Sequence, residues 1–330
     1  MTNKAMPLVS ICTACYNHED YIRDYFESII AQTYPNIELV IGDDVSTDSS
    51  RQIIESYLPR LKERFVNVVY LPNETNLGIV RNCININGHA SGKYIKPFAS
   101  DDVMLPHCIE NAVNFMEEHA DYAFGYSDCY VVPYDYRHGD SPDGFPHILD
   151  PDYIKEGYDL FETMLRRQFI TATGMFYKRE TFEKYGYDTE IAIEDQDFWL
   201  TLARNNEGIG YIPGSQVCYR RSLTSISNYD VGNAEKKFRF AYEATTKMYH
   251  KQLAFADEKL QKEIWDMHYW RYLDMAMDYE LDAAVREIKK IVKTRKMHLT
   301  GHQKAKMFLY NVGLLKLARN VKRFLRERKR

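Results

Sequence analysis

Two apolar runs in this chain end in adjacent acids. "IELVIGDD" closes on Asp43 and Asp44, and "YIKPFASDD" closes on Asp101 and Asp102. Short continuous apolar runs read as strands buried on both faces. Two carboxylates at one strand end repel unless a cation or hydrogen-bond donors join them. In an open α/β sheet, ligands bind beyond the carboxyl ends of the strands. Both pairs are therefore expected at one crevice, although they are distant in sequence. An S-D-D turn presents hard oxygen ligands, suited to Mg2+ or Mn2+ carrying a nucleotide diphosphate. Taken alone, each pair has a plainer reading as a helix N-cap, Asp44 before "VSTDSS" and Asp102 before Pro106.

The elements that must position these acids alternate. "LVSICTACY" (Leu8–Tyr16) reads as a first buried strand, followed by a helical period at Tyr21, Ile22, Tyr25, Phe26, Ile29 and Ile30. Strands are predicted at Ile37–Ile41, Val66–Leu71, Tyr94–Phe98 and Tyr122–Tyr126, with helices at about Thr47–Tyr57, near Gly78–His89 and after Pro106. This alternation predicts an α/β fold, a mostly parallel sheet with helices on both faces. Residues 133–157 are rich in Pro, Gly, Asp and Tyr and read as a loop or lid insertion. "LFETMLRRQ" reads as helix and "TATGMFYKRETFEKYG" as a strand and a short helix. "EDQDFWLTLARN" reads as helix and "GIGYIPGSQVCYRRS" as a strand. From about Gly232 the pattern is helical to the end, with only Gly301 and Gly313 as interruptions, so we place domains at 1–230 and 231–330.

No G-x-G-x-x-G follows the first strand and no G-x-x-x-x-G-K-[ST] occurs, which argues against a dinucleotide dehydrogenase and a P-loop NTPase. A nucleotidyltransferase is disfavoured because "TACYNHED" has no Gly, Lys or Arg. Hydrophobic residues make up 45% of the 330, enough for a large core, and aromatics 14%. The six Cys are scattered. Cys12 and Cys15 form a C-x-x-C inside a strand-like run, so buried hydrophobes in a reduced cytosol are expected rather than a zinc site. No signal-peptide pattern and no apolar run of about 18 residues is present, so nothing is expected to span a membrane.

"CTACYNHEDYIRDYFESIIAQTYPNIELVIGDDVSTDSS", "NETNLGIVRNCININGHASGKYIKPFASDD" and "IEDQDFWLTLAR" together resemble family 2 inverting glycosyltransferases of the GT-A fold, over about residues 6–228. The resemblance implies transfer of a sugar from a nucleotide diphosphate sugar, usually UDP-linked, with inversion and a divalent metal. By motif, the turn at Ala14–Asn17 lies under the base, with Tyr16 stacking on uracil. Asp44 matches the acceptor of the uracil N3–H, with Asp43 its neighbour. Arg81 of "NLGIVRN" contacts base or phosphate, Asp101 faces the ribose and Asp102 holds Mn2+ or Mg2+. Ser100 stands where many members have another Asp. Asp195 matches the catalytic base, because a single displacement needs the acceptor hydroxyl to lose its proton as it attacks. Glu194 orients the base or contacts the acceptor, and Asp197 reads equally well as a solvated cap. Arg220 or Arg221 of "CYRRSLTSIS" suits phosphate oxygens, with surface arginines as the plainer reading. Some relatives carry a His where this chain has Ser222.

Net charge is −4, but unevenly spread. From Arg286 to Arg330 there are 16 Lys and Arg against Glu287 and Glu327, a net of +14, which leaves −18 for the first 285 residues. "MFLYNVGLLKLARNVKRFLRERKR" places Met307, Tyr310, Leu314, Leu317, Val321 and Phe324 in one helical stripe beside Lys316, Arg319, Lys322, Arg323 and Arg326. Such a helix suits an anionic membrane surface, or it packs on the catalytic domain or on a second copy as a homo-oligomer. His298 and His302, spaced i, i+4, read as a solvated face. Nucleic acid is not expected as a partner, since no binding motif is visible. The expectation is an enzyme of surface polysaccharide synthesis, taking a UDP-sugar donor and a lipid-linked saccharide acceptor. It would be cytoplasmic or peripheral at the inner face of the membrane. A catalytically silent nucleotide-sugar-binding scaffold subunit is the alternative.

Overall fold

In the computed structural model, which describes residues 6–143, 159–221 and 233–317, eight strands form a single sheet. The first elements are β1 (Val9–Cys15), α1 (Ile22–Ile30), β2 (Ile37–Asp43), α2 (Ser50–Arg64), β3 (Asn67–Pro72), α3 (Ile79–Gly88), β4 (Tyr94–Pro97), β5 (Val103–Met104) and α4 (Cys108–Glu118). There follow β6 (Tyr122–Val132), α5 (Leu160–Arg166), β7 (Met175–Lys178), α6 (Arg179–Tyr185), α7 (Glu194–Arg204) and β8 (Gly208–Arg220). The last are α8 (Ala234–Gln252), α9 (Glu258–Asp278), α10 (Asp282–Thr294) and α11 (Gly301–Asn311). The described residues fall into two compact units, one drawn from 1–233 and 243–255, the other from 234–242 and 256–330.

The strand order is β3-β2-β1-β4-β7-β6-β8-β5. β3, β2, β1 and β4 run parallel, while β7 is antiparallel to both β4 and β6. All seven residues of β2 are buried, as are six of seven in β1, which is why both are mostly apolar without strict alternation. β1 lies between β2 and β4, so the connections leave it in opposite directions, the arrangement that opens a crevice at the carboxyl ends. Register aligns those ends, with Cys15 beside Asp43 and Cys12 beside Pro97. α3 packs so closely on β2 that a Cβ on Gly42 would lie 2.7 Å from Asn82 Oδ1.

Several boundaries differ from the sequence reading. α2 starts at Ser50 and runs on to Arg64, with Pro59 inside it. β6 continues to Val132 because it pairs along most of β8. β5 has two residues, too few to leave a periodic signal. The expected single stripe from Met307 to Phe324 is interrupted. α11 ends at Asn311, and Gly313 adopts the left-handed conformation (φ 72°) with its N–H bonded to the Tyr310 carbonyl. Val321 and Phe324, like residues 144–157 of the expected loop and Ser222, lie outside the described residues.

One carboxylate in β2 belongs to the scaffold. Glu38 is fully buried and accepts from Ser10 Oγ (2.5 Å), Ser91 N (2.5 Å), Ser91 Oγ (2.7 Å) and Gly92 N (3.1 Å). Burial pushes its proton affinity up, but the bonds from Ser10, Ser91 and Asn67 outweigh this and hold it below the ordinary value. Glu38→Gln turns an amide NH2 towards donors. We expect a loss of about 2–3 kcal/mol in denaturant unfolding at neutral pH. An unchanged midpoint would refute the role.

Candidate active site

The β1 and β2 ends are tied together before any ligand enters. Asn17 sits at φ 56°, and its Oδ1 accepts from Thr47 N at 2.8 Å while its own N–H donates to Ser46 Oγ at 3.0 Å. Tyr16 beside it is 48% exposed, its ring free to meet a planar ligand. Ala14 closes the β1 end, its carbonyl accepting from Ser100 Oγ at 3.1 Å. Asp43 is fully buried and ion-paired through Oδ2 with Arg51 at 3.0 Å, whereas its Oδ1 has no hydrogen-bond partner among the described residues. Asp44 takes three donors, Leu77 N (2.7 Å), Gly78 N (2.9 Å) and Asn73 Nδ2 (3.0 Å). It thereby latches the loop before α3 onto β2. Val45 follows at φ 63°, an outlier for a β-branched residue. Arg81, in the first turn of α3, is exposed and carries no hydrogen bond or ion pair among the described residues.

Beyond β4 the second pair divides its exposure. The Asp101 side chain is 14% exposed, with His18 Nε2 3.9 Å away. His18 Nδ1 lies 2.8 Å from Ser100 Oγ, which fixes the ring. Asp102 is 1% exposed, and its Oδ2 accepts from Thr173 Oγ1 at 2.7 Å while Oδ1 accepts from Arg220 N at 2.8 Å. The antiparallel β5–β8 pairing, Val103 beside Cys218, brings Arg220 there. Burial, and then the charge of Asp101, push the Asp102 carboxyl up to about 8, against the opposing bonds from Thr173 and Arg220. Thr173 is itself held by buried Lys96, whose Nζ donates to the Thr173 carbonyl and, at 3.0 Å, to that of Met175. Burial lowers the Lys96 proton affinity.

Neither pair caps a helix, since Ser49 precedes α2 and His107 precedes α4. The surface reading of Arg220 is also overturned. Its side chain is fully buried, with Nη2 3.2 Å from Asp24 Oδ2 and the guanidinium 5.0 Å from the Tyr21 ring centre. Its Nε and Nη1 have no partner among the described residues. Arg221 is exposed and gives its N–H to the Val132 carbonyl.

The third cluster opens α7. Glu194 and Asp195 are both partly buried in its first turn, and Asp195 Oδ1 accepts from Gln196 N at 2.7 Å. Ile193, not Asp195, is the N-cap. Burial raises Asp195 to about 6. Burial, and then the Asp195 charge, raise Glu194 to about 8. Two such carboxyls titrate as a pair. No cation pairs with either among the described residues. Asp197 is not a solvated cap. It is buried between Lys251 Nζ (2.7 Å) and Gln252 Nε2 (2.6 Å), which fasten α7 to the end of α8. Cys83 of α3, partly buried, has its thiol pushed well above its ordinary value, first by desolvation, then by Glu194, Cys12, Asp195 and Asp44. The α7 acids and Asp44 of the β2 end thus act on one side chain.

Sequence reasoning missed His18, Asp24, Thr173 and Lys96. Only Lys96 left a signal, a charge in the middle of the buried run "YIKPF". Among the described residues, no three His, Cys, Asp or Glu side chains form a ready-made metal cage. Asp102 and its neighbour Asp101 still suit Mg2+ or Mn2+, which are held by one or two carboxylates together with substrate phosphates.

An α/β sheet with acids at its carboxyl edge, and a carboxylate pair at the start of a helix, is the arrangement in which an α/β enzyme binds its ligand. Residues 10–186 match glycosyl transferase family 2, and the chain belongs to that family. It is a glycosyltransferase with the GT-A fold and a helical C-terminal region. Over 240 residues it is 30% identical to TuaG of Bacillus subtilis (strain 168), a glycosyltransferase named for teichuronic acid biosynthesis, covering 72% of this chain and 87% of the relative. It is 30% identical over 232 residues to glycosyltransferase GlyA of Streptococcus pneumoniae serotype 4, covering 66% and 31%. Among solved structures it is similar to S. aureus TarS 1–349 in complex with UDP, with a TM-score of 0.51 and 20% identity over 81% of this chain and 80% of that one. The mannosyltransferase PcManGT of Pyrobaculum calidifontis, in complex with GDP-Man and Mn2+, gives a TM-score of 0.58 at 13% identity over 96% and 88%.

If Asp44 latches the loop, Asp44→Ala frees two backbone amides and the Asn73 amide without any ligand present. Hydrogen exchange at Leu77 and Gly78 should accelerate, with a stability loss of about 3 kcal/mol. Unchanged exchange at those amides would rule the latch out.

Proposed function

We propose that this chain moves a sugar, with inversion, from a UDP-sugar to a hydroxyl of a lipid-linked saccharide acceptor in surface polysaccharide synthesis. The observation that carries the reading is the Glu194–Asp195 pair, partly buried, unpaired with any cation among the described residues, and with Asp195 raised to about 6. A carboxylate tuned upwards but still ionised at neutral pH suits a general base. Asp195 accepts the proton of the acceptor O–H. The oxygen forms its bond to the anomeric carbon as the bond from that carbon to the diphosphate oxygen breaks, and UDP leaves. Glu194, which holds its proton more tightly, orients Asp195 or the acceptor by hydrogen bonding.

Tyr16 stacks on the uracil ring over the Ala14–Asn17 turn. The remaining lone pair on Asp44 Oδ2 takes the uracil N3–H, and the unpartnered Asp43 Oδ1 lies beside it. Arg81 reaches base or phosphate, and Asp101 faces the ribose. Arg221 and the unsatisfied donors of Arg220 provide positive charge towards the diphosphate. Asp102, together with the diphosphate, would hold a divalent cation, which when bound would offset the negative charge on the leaving group. Support for this donor class comes from TarS with bound UDP and PcManGT with GDP-Man and Mn2+. TuaG's name supports the polysaccharide product. A lipid-linked acceptor places the enzyme at the membrane surface, and no helix among the described residues is long and apolar enough to cross the bilayer.

UDP release should be followed with Mn2+ across a panel of UDP-sugars and acceptors. Asp195→Asn should lower kcat by about 10²–10⁴-fold, with donor affinity by calorimetry unchanged. Donor binding without turnover on any acceptor would favour the silent scaffold subunit, and no binding at all would end the nucleotide-sugar reading.

The pH profile gives a separate check. The base works only when deprotonated, and its proton affinity is raised, so kcat/KM should fall as pH drops through about 6. An acidic limb near pH 4, where an unperturbed carboxyl titrates, would be incompatible with Asp195 as base.

A further inference from the structure

The densest run of exposed apolar side chains among the described residues lies in the second unit, far along the chain from every acid discussed above. Phe308 is 63% exposed, Val312 47%, Leu314 46% and Leu317 61%. α11 carries "MFLY" near its end, yet none of its residues is buried. Its other side is already committed by polar tethers. Lys306 pairs with Asp274 (2.6 Å) and Asp278 (2.8 Å) of α9, Tyr310 bonds to Asp282, and Asn311 accepts from Lys289 of α10 at 2.5 Å. The start of the helix is fixed by a capping box between Thr300 and Gln303. Lys304, Phe308 and Val312 follow one another at steps of four, one above the next on a single face. Leu315 alone is buried, which anchors the turn after Gly313 and leaves Leu314 and Leu317 outward.

Charge decides what this face meets. Residues 318–330 hold seven Lys and Arg against Glu327 alone, directly following the apolar strip. A second copy of the chain would bring an equally basic segment to the same place and be repelled. A surface that accepts bulky apolar groups and several cations together is the interface of an anionic bilayer. We propose that Phe308, Val312, Leu314 and Leu317 insert into such an interface. The proposal deepens the reading of a membrane-bound acceptor given above and rests on it for its purpose. Its residues are separate from those of donor binding.

The test is sedimentation of the full chain with phosphatidylcholine vesicles, with and without phosphatidylglycerol, at low and raised salt. Binding is expected only with phosphatidylglycerol, and weaker as salt screens the charges. The double variant Phe308→Ser/Leu317→Ser should lose at least about tenfold in partitioning. Both side chains are exposed, so its thermal unfolding should match that of the parent. Absence of binding by the parent, or equal binding by the double variant, would overturn the proposal. So would concentration-dependent self-association that the same variant abolishes, because the strip would then serve a second copy. Calorimetric donor binding, measured alongside, separates the two readings: its loss with vesicle binding intact would sink the active-site assignment and leave the docking surface standing.

Discussion

Taking a carboxylate out of water costs several kcal/mol unless donors or cations replace the lost hydration. This fold does so repeatedly at one sheet edge, and the surrounding architecture follows from how each acid is answered. Arg51 answers Asp43 from α2. The loop before α3 answers Asp44 with two backbone amides and Asn73. Thr173 and the Arg220 N–H answer Asp102 from segments that come much later in the chain. Removing any of these partners would leave a buried negative charge, so the loops of the crevice are held by the same groups that make it acidic.

The answers are unequal, and the inequality has chemical meaning. Asp44 is bonded on both oxygens by rigid backbone donors, so it keeps little freedom and serves the shape of the crevice. Asp43 retains one unpartnered oxygen, and Arg220 two unpartnered donor nitrogens. Asp102 has a donor on each oxygen, yet its carboxyl is still raised to about 8. Burial and the charge of Asp101 outweigh those two donors. Asp195 is answered by backbone amides, that of Gln196 at 2.7 Å and its own, and burial outweighs them and keeps it raised. Asp197, two residues further on, is fully answered by Lys251 and Gln252 and stays inert. One turn of helix thus carries two acids in unlike surroundings, Asp195 partly buried with no cation beside it among the described residues and Asp197 buried between Lys251 and Gln252.

This explains what the sequence could reveal. The acids were legible because each pair ends an apolar run, a local feature with a local cause. The parallel strands β1 to β4 were legible for the same reason. The donors were not, because Thr173 and Arg220 reach Asp102 across 71 and 118 residues, and ordinary Thr and Arg carry no mark of their partner. Asp24 was hidden in the same way, as one acid among several on the polar side of a periodic helix. It holds Arg220 at 3.2 Å from a position 196 residues earlier. Gly301 and Gly313 were legible as interruptions of the helical tail, but the stripe from Met307 to Phe324 was drawn through Gly313 because hydrophobic spacing survives a break of two residues.

Lys96 joins these strands of the argument. A buried lysine without a carboxylate partner is costly, and here its ammonium donates to the carbonyls of Thr173 and Met175. Those bonds fix the single 3₁₀ turn Ala172–Gly174, where a Cβ on Gly174 would collide with the Ser127 carbonyl. The turn in turn presents the Thr173 hydroxyl to Asp102. The position of one acid at the crevice therefore depends on a cation inside the β4 strand that leads to it, on a glycine that lets the backbones touch, and on a hydroxyl between them. A neutral residue at 96 would leave two carbonyls unpaired and remove a buried positive charge. Its effect would reach the crevice through Thr173 without contact between residue 96 and any ligand.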